Sequence, residues 1–134
     1  MKKITSLLFL TLMTMSSAGF AATLTSMSKS QLEQAFVNKT VTSVSSARLN
    51  GTVVDNTFMA TLDAQGHITG KFVNKPDNAP QTDTGVYKIA DNGTMYVTWK
   101  NWEGAKELCV NFYETKNAYI AIGCNNEFHT AFIK

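Results

Sequence analysis

The sequence predicts an all-β fold: an antiparallel meander of about eight strands, barrel-like or strongly curved, with one short N-terminal helix. From Lys39 onward, apolar residues recur at every second position, which is the period of a strand. Turn residues such as Asn50-Gly51 and Asp91-Asn92-Gly93 interrupt this pattern at regular intervals. Nearly every connection has hairpin length, so strands adjacent in sequence should be adjacent in space.

Closure into a barrel is favoured because an open meander leaves two strand edges that invite aggregation. A barrel removes both edges, and a two-sheet sandwich is the alternative architecture. An eight-stranded barrel is wide enough either to be filled by its own side chains or to hold one small ligand. The sequence alone does not choose between a filled and a hollow interior.

The first 21 residues are predicted to be a cleavable signal peptide. Lys2 and Lys3 precede an uncharged, mostly apolar run from Ile4 to Met15, and small residues, interrupted by Phe20, follow as far as Ala22. This order is typical of export, with cleavage after Ala21. The apolar run is shorter than the roughly 20 residues that span a bilayer. We therefore expect no membrane span, export to the periplasm or the extracellular space, and one β domain over residues 22–134.

Removal of the signal peptide would leave a chain without net charge. Without Lys2 and Lys3, the ten remaining basic side chains balance the ten acidic ones. A neutral chain that lacks a basic cluster is not typical of nucleic-acid-binding proteins, so no nucleic acid partner is expected. The two cysteines, Cys109 and Cys124, are predicted to form one disulfide in an oxidising compartment.

The helix is predicted over residues 30–38. Ser30-Gln31-Leu32-Glu33 matches a capping box, and Leu32, Ala35 and Phe36 share one helical face. Such a helix could close one end of a barrel or lie across a sheet.

The strands are predicted from about residue 40, each with alternate residues on one face. In chain order, the residues sharing a face are Val41, Ser43, Ser45, Ala47 and Leu49; Phe58, Ala60 and Leu62; Ile68, Gly70 and Phe72; Gly85, Tyr87 and Ile89; Met95, Val97 and Trp99; Leu108, Val110 and Phe112; Ile120 and Ile122; and Phe128, Thr130 and Phe132. Residues 74–82 contain both prolines and form the longest predicted loop, and residues 101–105 are predicted to turn.

Four motifs resemble a family of small exported bacterial proteins known only as a domain of unknown function. They are Asn38-Lys39-Thr40-Val41 after a helix; Phe58 with Asp63-Ala64-Gln65-Gly66 and Gly70; Thr84–Tyr87 with Asp91-Asn92-Gly93; and Trp99, Trp102 and Cys109. Tyr96-Val97-Thr98 departs from the family, which has a Cys before the Trp. The resemblance implies export and a lipocalin-like β-meander, and it implies no activity.

Aromatic side chains are the candidate ligand-binding residues: Trp99, Trp102, Tyr87 and Tyr96. Trp99 shares a strand face with apolar residues and is interpreted most simply as core. Trp102 lies in a turn, where it either flanks a barrel mouth or folds back over the core. Large rings with a polar tip suit contacts with ligands or partners.

Few residues in the sequence are candidates for catalysis or for metal binding. His67 and His129 are predicted to face solvent, no metal-ligand spacing is present, and neither a metal nor a cofactor is expected. Glu107 and His129 are the only candidates for acid–base work, and they would have to converge in one cleft.

Three functions remain open at this stage. The first is a non-enzymatic binding module for a small apolar molecule, a peptide or a protein. The second is a secreted interaction or inhibitor protein acting through loops such as residues 74–82. The third is a hydrolase of envelope polymers.

Overall fold

The computed structural model describes residues 24–134, and the predicted signal peptide lies outside them. Helix α1 is followed by nine strands. In chain order these elements are α1 (Lys29–Phe36), β1 (Lys39–Leu49), β2 (Thr52–Val54), β3 (Phe58–Leu62), β4 (His67–Phe72), β5 (Thr82–Ile89), β6 (Met95–Trp99), β7 (Glu107–Glu114), β8 (Ala118–Gly123) and β9 (Phe128–Ile133). A tight turn, Trp102–Ala105, lies between β6 and β7 and is called the Trp102 turn below.

Eight of these strands form a closed antiparallel barrel, which confirms the predicted all-β class. The strands β1 and β3 to β9 pair in chain order, and the β1–β9 pairing closes the barrel. The extra strand is β2, which pairs with the far half of β1 after the turn at Asn50-Gly51. It continues the register in which β3 pairs with the first half of β1. The prediction of about eight strands therefore holds for the barrel itself.

The antiparallel order gives the barrel two distinct ends. The helix end carries α1 and the turns β3–β4, β5–β6 and β7–β8. The Trp102 end carries the β1–β2 turn, the loop of residues 73–81, the Trp102 turn and the β8–β9 turn.

Helix α1 begins and ends earlier than predicted. Its N-cap is Ser28, whose hydroxyl accepts from the backbone of Gln31, while the Gln31 side chain accepts from the backbone of Ser28. The predicted box at Ser30 is therefore wrong by two residues, since Ser28 and Gln31 offer the same reciprocal bonds. The helix ends at Phe36 because Val37 is extended and Asn38 has a left-handed φ of 59°. Within residues 24–134, no helix has the length and apolar character needed to cross a membrane.

Aromatic packing seals the helix end. Phe36 is 1% exposed, and its ring lies 4.8 Å from that of Phe112, 5.2 Å from Tyr119 and 5.8 Å from Phe132. The helix also buries Leu32 completely. The alternative in which α1 plugs one end of the barrel, rather than lying across a sheet, is the one the structure adopts.

Bulges interrupt the seam where β1 meets β9. Ser43 pairs with Phe132 and Ala47 with Thr130, so four steps along β1 match two steps along β9. A bulge shifts the alternation of side chains. Ser45 is consequently exposed, and its predicted place on the face of Val41 and Leu49 is wrong.

The predicted disulfide is present. Cys109 on β7 and Cys124, directly after β8, are bonded with a Cα–Cα distance of 5.4 Å. The backbone N–H of Cys124 also donates to the carbonyl of Cys109 at 3.0 Å. The bridge therefore fastens two neighbouring strands at the Trp102 end and fixes their register.

Candidate ligand-binding site

The interior of the barrel contains a cavity of about 100 Å³. Its wall comes from the inward faces of most strands and from Phe36 of α1, and it is mainly aliphatic and aromatic. The predicted alternation produces most of this wall, because every second residue of a strand points inward. The side chains thus leave part of the interior unfilled, but the remaining space is small.

In β8 the predicted face is wrong, since Ala121 points inward and Ile120 and Ile122 point outward. In β9, Phe128 is exposed and does not share the inward face of Thr130 and Phe132.

Four aromatic rings form the part of the wall nearest the Trp102 end. Trp99 and Trp102 lie 4.9 Å apart by ring centroids, Phe72 lies 5.2 Å from Trp102, and Phe58 lies 6.0 Å from both indoles. The rings meet tilted or edge-on, which is the arrangement their quadrupoles favour. Trp99 and Trp102, both predicted as site residues, are therefore brought together inside the barrel.

Gly70 creates the space for both indoles. A Cβ atom at this position would lie 2.5 Å from Trp102, 2.7 Å from Trp99 and 2.8 Å from Phe58. Real side chains do not approach so closely, so any larger residue on this part of β4 would displace the rings. The glycine in the inward series of β4 is needed for packing rather than for an unusual backbone angle.

Trp102 resolves the alternative that the sequence left open, because it folds back into the core and is only 2% exposed. Its indole N–H donates to the carbonyl of Pro80 at 2.9 Å, which satisfies the polar atom of the ring inside the barrel end. The loop of residues 73–81 is thereby tied to the Trp102 turn. Gln81 ties it further, since its amide donates to the carbonyls of Phe72 and Val73.

Asp83 is the side chain that holds the Trp102 turn in place. It is 4% exposed and accepts hydrogen bonds from the backbone N–H groups of Asn101 and Trp102, both at 2.8 Å, and from the Asn101 amide at 2.9 Å. Burial alone would raise the pKa of Asp83, but these bonds together with one from the Thr84 backbone outweigh it and hold the pKa below 3.8. A buried carboxylate thus organises the turn.

Asp83 was not among the residues predicted from the sequence. It occupies the inward position of β5 that precedes Gly85, Tyr87 and Ile89 in the alternating series. A charged residue at an inward position of a predicted strand is the signal that could have identified it. Such a residue stays buried only when hydrogen bonds compensate its desolvation.

The cavity opens toward the Trp102 end. Of the residues that line it, five keep partial exposure, and all five lie at that end of their elements: Arg48, Phe58, Glu103, Leu108 and His129. The remaining lining residues are buried. We call these five the mouth of the cavity. It combines two apolar side chains with one cationic, one anionic and one titratable group.

Arg48 is fixed at the mouth by backbone carbonyls. Its guanidinium donates to the carbonyl of Phe128 at 3.0 Å and to that of Gly51 at 2.7 Å. The carboxylate of Glu127 lies 3.6 Å away, at the rim. The Arg48 charge is therefore partly compensated before any ligand arrives.

His129 is not the solvent-facing imidazole that was predicted. The pairing of β8 with β9 shifts between Ala121 and Ile122, so that two steps along β9 match one along β8. This bulge directs His129 to the cavity mouth, where it is half-buried. Burial, and then the charge of Arg48, lower the pKa of His129 below 6.5, and Glu127 opposes them.

The two predicted tyrosines lie away from this site. Tyr87 faces inward near the helix end, where its hydroxyl donates to the carbonyl of Asp63. Burial, and then the charge of Asp63, raise the pKa of Tyr87. Tyr96 lies on the outer face, with the Lys88 ammonium 4.7 Å from its ring centroid. Of the four predicted residues, therefore, only Trp99 and Trp102 lie together, and the two tyrosines lie at separate positions.

The candidate acid–base residues do not share a cleft. Glu107 is exposed and paired with Lys88 at 3.2 Å, whereas His129 lines the interior. His67 is exposed, as predicted, and its ring lies 2.8 Å from the carboxylate of Asp63. Over residues 24–134, no group of three His, Cys, Asp or Glu side chains is placed to hold a metal ion.

Comparison of the chain with protein-family models, with curated proteins and with solved structures finds no match. The resemblance to exported proteins of unknown function therefore stays a prediction.

Proposed function

We propose that this protein is an exported, non-enzymatic binding module that takes one small apolar molecule into its barrel through the Trp102 end. The observation that carries the proposal is the combination of an apolar interior cavity with a single exposed stretch of its wall. A cavity lined by carbon atoms gains free energy when an apolar ligand replaces empty space or poorly bound water.

Size limits the ligand. A dry apolar cavity of about 150 Å³ is large enough to bind benzene. The cavity here is smaller, about 100 Å³, so benzene is at the upper limit of what it holds unless side chains at the mouth move. A long acyl chain does not fit the interior as it stands.

Charge also limits the ligand. The mouth carries both Arg48 and Glu103, and the cavity beyond it is apolar. A charged group on the ligand would lose its hydration on entry, and the mouth offers no unpaired counter-charge to compensate that loss. The chemistry therefore favours an uncharged molecule with at most one polar group, which would remain at the mouth.

Export is part of the proposal. The Cys109–Cys124 disulfide supports it, because disulfides persist in oxidising compartments such as the periplasm and the extracellular space. The expected mature chain begins at Ala22, after cleavage of residues 1–21. Intact mass measured on the secreted or periplasmic protein checks this, and a mass that includes residues 1–21 contradicts it.

Binding can be tested with benzene as the probe. Both tryptophans of the chain line the cavity, so their emission reports directly on its occupation. We expect saturable binding by isothermal titration calorimetry, accompanied by a change in tryptophan emission. The absence of saturable binding of benzene to the oxidised protein contradicts the proposal.

A matched pair of variants locates the site. Ala121 lines the cavity and is 2% exposed, whereas Ala131 on the adjacent strand faces outward. Ala121→Leu fills the cavity and should abolish benzene binding, while Ala131→Leu makes the same change outside and should leave binding unchanged. Because empty cavity costs about 24 cal/mol per Å³, filling it offsets part of any strain and should keep Ala121→Leu folded.

A further inference from the structure

The Trp102 turn closes the mouth with an unusual backbone. Glu103, Gly104 and Ala105 all have left-handed φ values, of 56°, 64° and 56°. Glu103 and Ala105 have a Cβ atom, which makes this conformation unfavourable for them. Contacts outside the turn must therefore hold it closed.

The inner contact is the buried one. The Asp83 carboxylate binds the backbone N–H groups of Asn101 and Trp102, and the Trp102 indole is anchored at Pro80. Water has little access to these groups, because Asp83 and Trp102 are both buried. Hydrogen bonds to a charged group in such surroundings are strong, so this side of the turn is a fixed anchor.

The outer contact is a reciprocal pair between Asn50 and Glu103. The backbone N–H of Asn50 donates to the Glu103 carboxylate at 2.6 Å, and the backbone N–H of Glu103 donates to the Asn50 side chain at 2.7 Å. Asn50 is exposed and Glu103 is half-buried, so water competes for both bonds. We call this pair the Asn50–Glu103 latch.

We propose that the Asn50–Glu103 latch is the gate of the cavity and opens to admit the ligand, while the Asp83 anchor stays closed. This rests on the proposed function. Glu103 belongs both to the latch and to the mouth, so its release from Asn50 frees a side chain that lines the entrance. Relief of the left-handed backbone at Glu103 and Ala105 favours the open form, and the two latch bonds oppose it.

The first test needs no ligand. The amide protons of Asn50 and Glu103 make the latch bonds, whereas those of Asn101 and Trp102 bind Asp83. Hydrogen exchange measured by NMR on the wild-type protein should therefore show protection at least tenfold lower for the latch amides. Equal protection of the two pairs would mean that the turn opens as one unit and would overturn the proposal.

The second test changes the latch and follows benzene exchange by NMR. Asn50→Gly removes the side-chain acceptor and keeps the left-handed backbone available. Both association and dissociation of benzene should accelerate about two- to tenfold, the range expected for one lost net hydrogen bond. Asn38→Gly is the control, since Asn38 is also left-handed, with φ 59°, but lies at the helix end.

The outcomes separate the two proposals. Benzene that binds the wild type and exchanges at the same rates in Asn50→Gly overturns the gate and leaves the binding function standing. Benzene that does not bind the wild type refutes the binding function. In that case, hydrogen exchange at Asn50 and Glu103 alone decides whether the latch opens independently of the anchor.

Discussion

The two ends of the barrel are closed by different physical means. At the helix end, α1 inserts Phe36 among the rings of Phe112, Tyr119 and Phe132. This closure depends on hydrophobic contacts, which are not directional. At the Trp102 end, the backbone N–H of Trp102 donates to the buried carboxylate of Asp83, its indole N–H donates to the carbonyl of Pro80, and charged side chains remain on the rim. Stability and access are therefore divided between the ends: the helix end seals the barrel, whereas the Trp102 end combines a buried anchor with the exposed Asn50–Glu103 bonds, which water can replace.

The largest expected effect breaks the seal at the helix end. Phe36→Ala leaves a cavity among three rings and should lower the free energy of unfolding by about 3–5 kcal/mol, as for other buried Phe residues. Urea unfolding followed by circular dichroism measures it. Phe128→Ala is the control, because Phe128 is 37% exposed and should lose less than about 1 kcal/mol. Similar losses for the two variants would contradict the assignment of Phe36 as the seal.

A smaller effect is expected when the anchor at the Trp102 end is weakened. Asp83→Asn keeps the shape of the side chain, removes its charge and turns one acceptor into a donor that faces N–H groups. We expect a loss of about 1–3 kcal/mol in unfolding free energy, together with red-shifted tryptophan emission as Trp102 becomes exposed. Asp77→Asn, in the exposed part of the loop, should change neither quantity. Unaltered emission in Asp83→Asn would show that the carboxylate does not position Trp102.

The smallest expected effect is a pH dependence confined to the Trp102 end. The pKa of His129 in the folded protein is below 6.5, mainly because of burial. Between the folded and unfolded pKa values the unfolded chain binds more protons. The unfolding free energy should therefore fall as the pH drops below about 6.5 and level off below the folded pKa.

Urea unfolding at several pH values between 5 and 8 measures this dependence. His129→Gln should remove the His129 contribution, and His67→Gln, at an exposed position of the helix end, is the matched control. If His129→Gln leaves the pH dependence as in the wild type, the half-buried position of His129 is not what makes stability sensitive to pH.

Much of the fold could be predicted from the sequence because its determinants are local. The two-residue apolar period and the Asn-Gly and Asp-Asn-Gly turns gave the strands, the antiparallel order and the barrel. The disulfide was predicted from the presence of two cysteines in a chain that is expected to be exported. Thr52–Val54 was missed as a strand because three residues show no period.

The departures occur where tertiary contacts override the local pattern. Ser45 and His129 lie at bulges, and a bulge depends on how two distant strands meet rather than on either sequence alone. The helix begins earlier than predicted for a local reason, since Ser28 and Ser30 each begin a sequence that matches a capping box.

The candidate site was predicted only in part. Trp99 follows from its strand period, whereas the burial of Trp102 depends on Asp83 and Pro80, which are about 20 residues away in sequence. The sequence does not identify Arg48 and Glu103 as mouth residues, because they come close to each other only when the barrel closes. Tyr87 and Tyr96 were grouped with the tryptophans by residue type, and the structure separates them.

The most direct measurement of the central claim is NMR of methyl groups and tryptophan side chains during titration with benzene. If benzene occupies the cavity, intermolecular contacts and the largest shifts should occur at Leu108, Val97 and the Trp102 indole, which surround the cavity and its mouth. Leu32 of α1, which lies outside the cavity wall, should be unaffected. Contacts spread over the outer surface, or centred on the helix end, would contradict an interior site that opens beside Trp102.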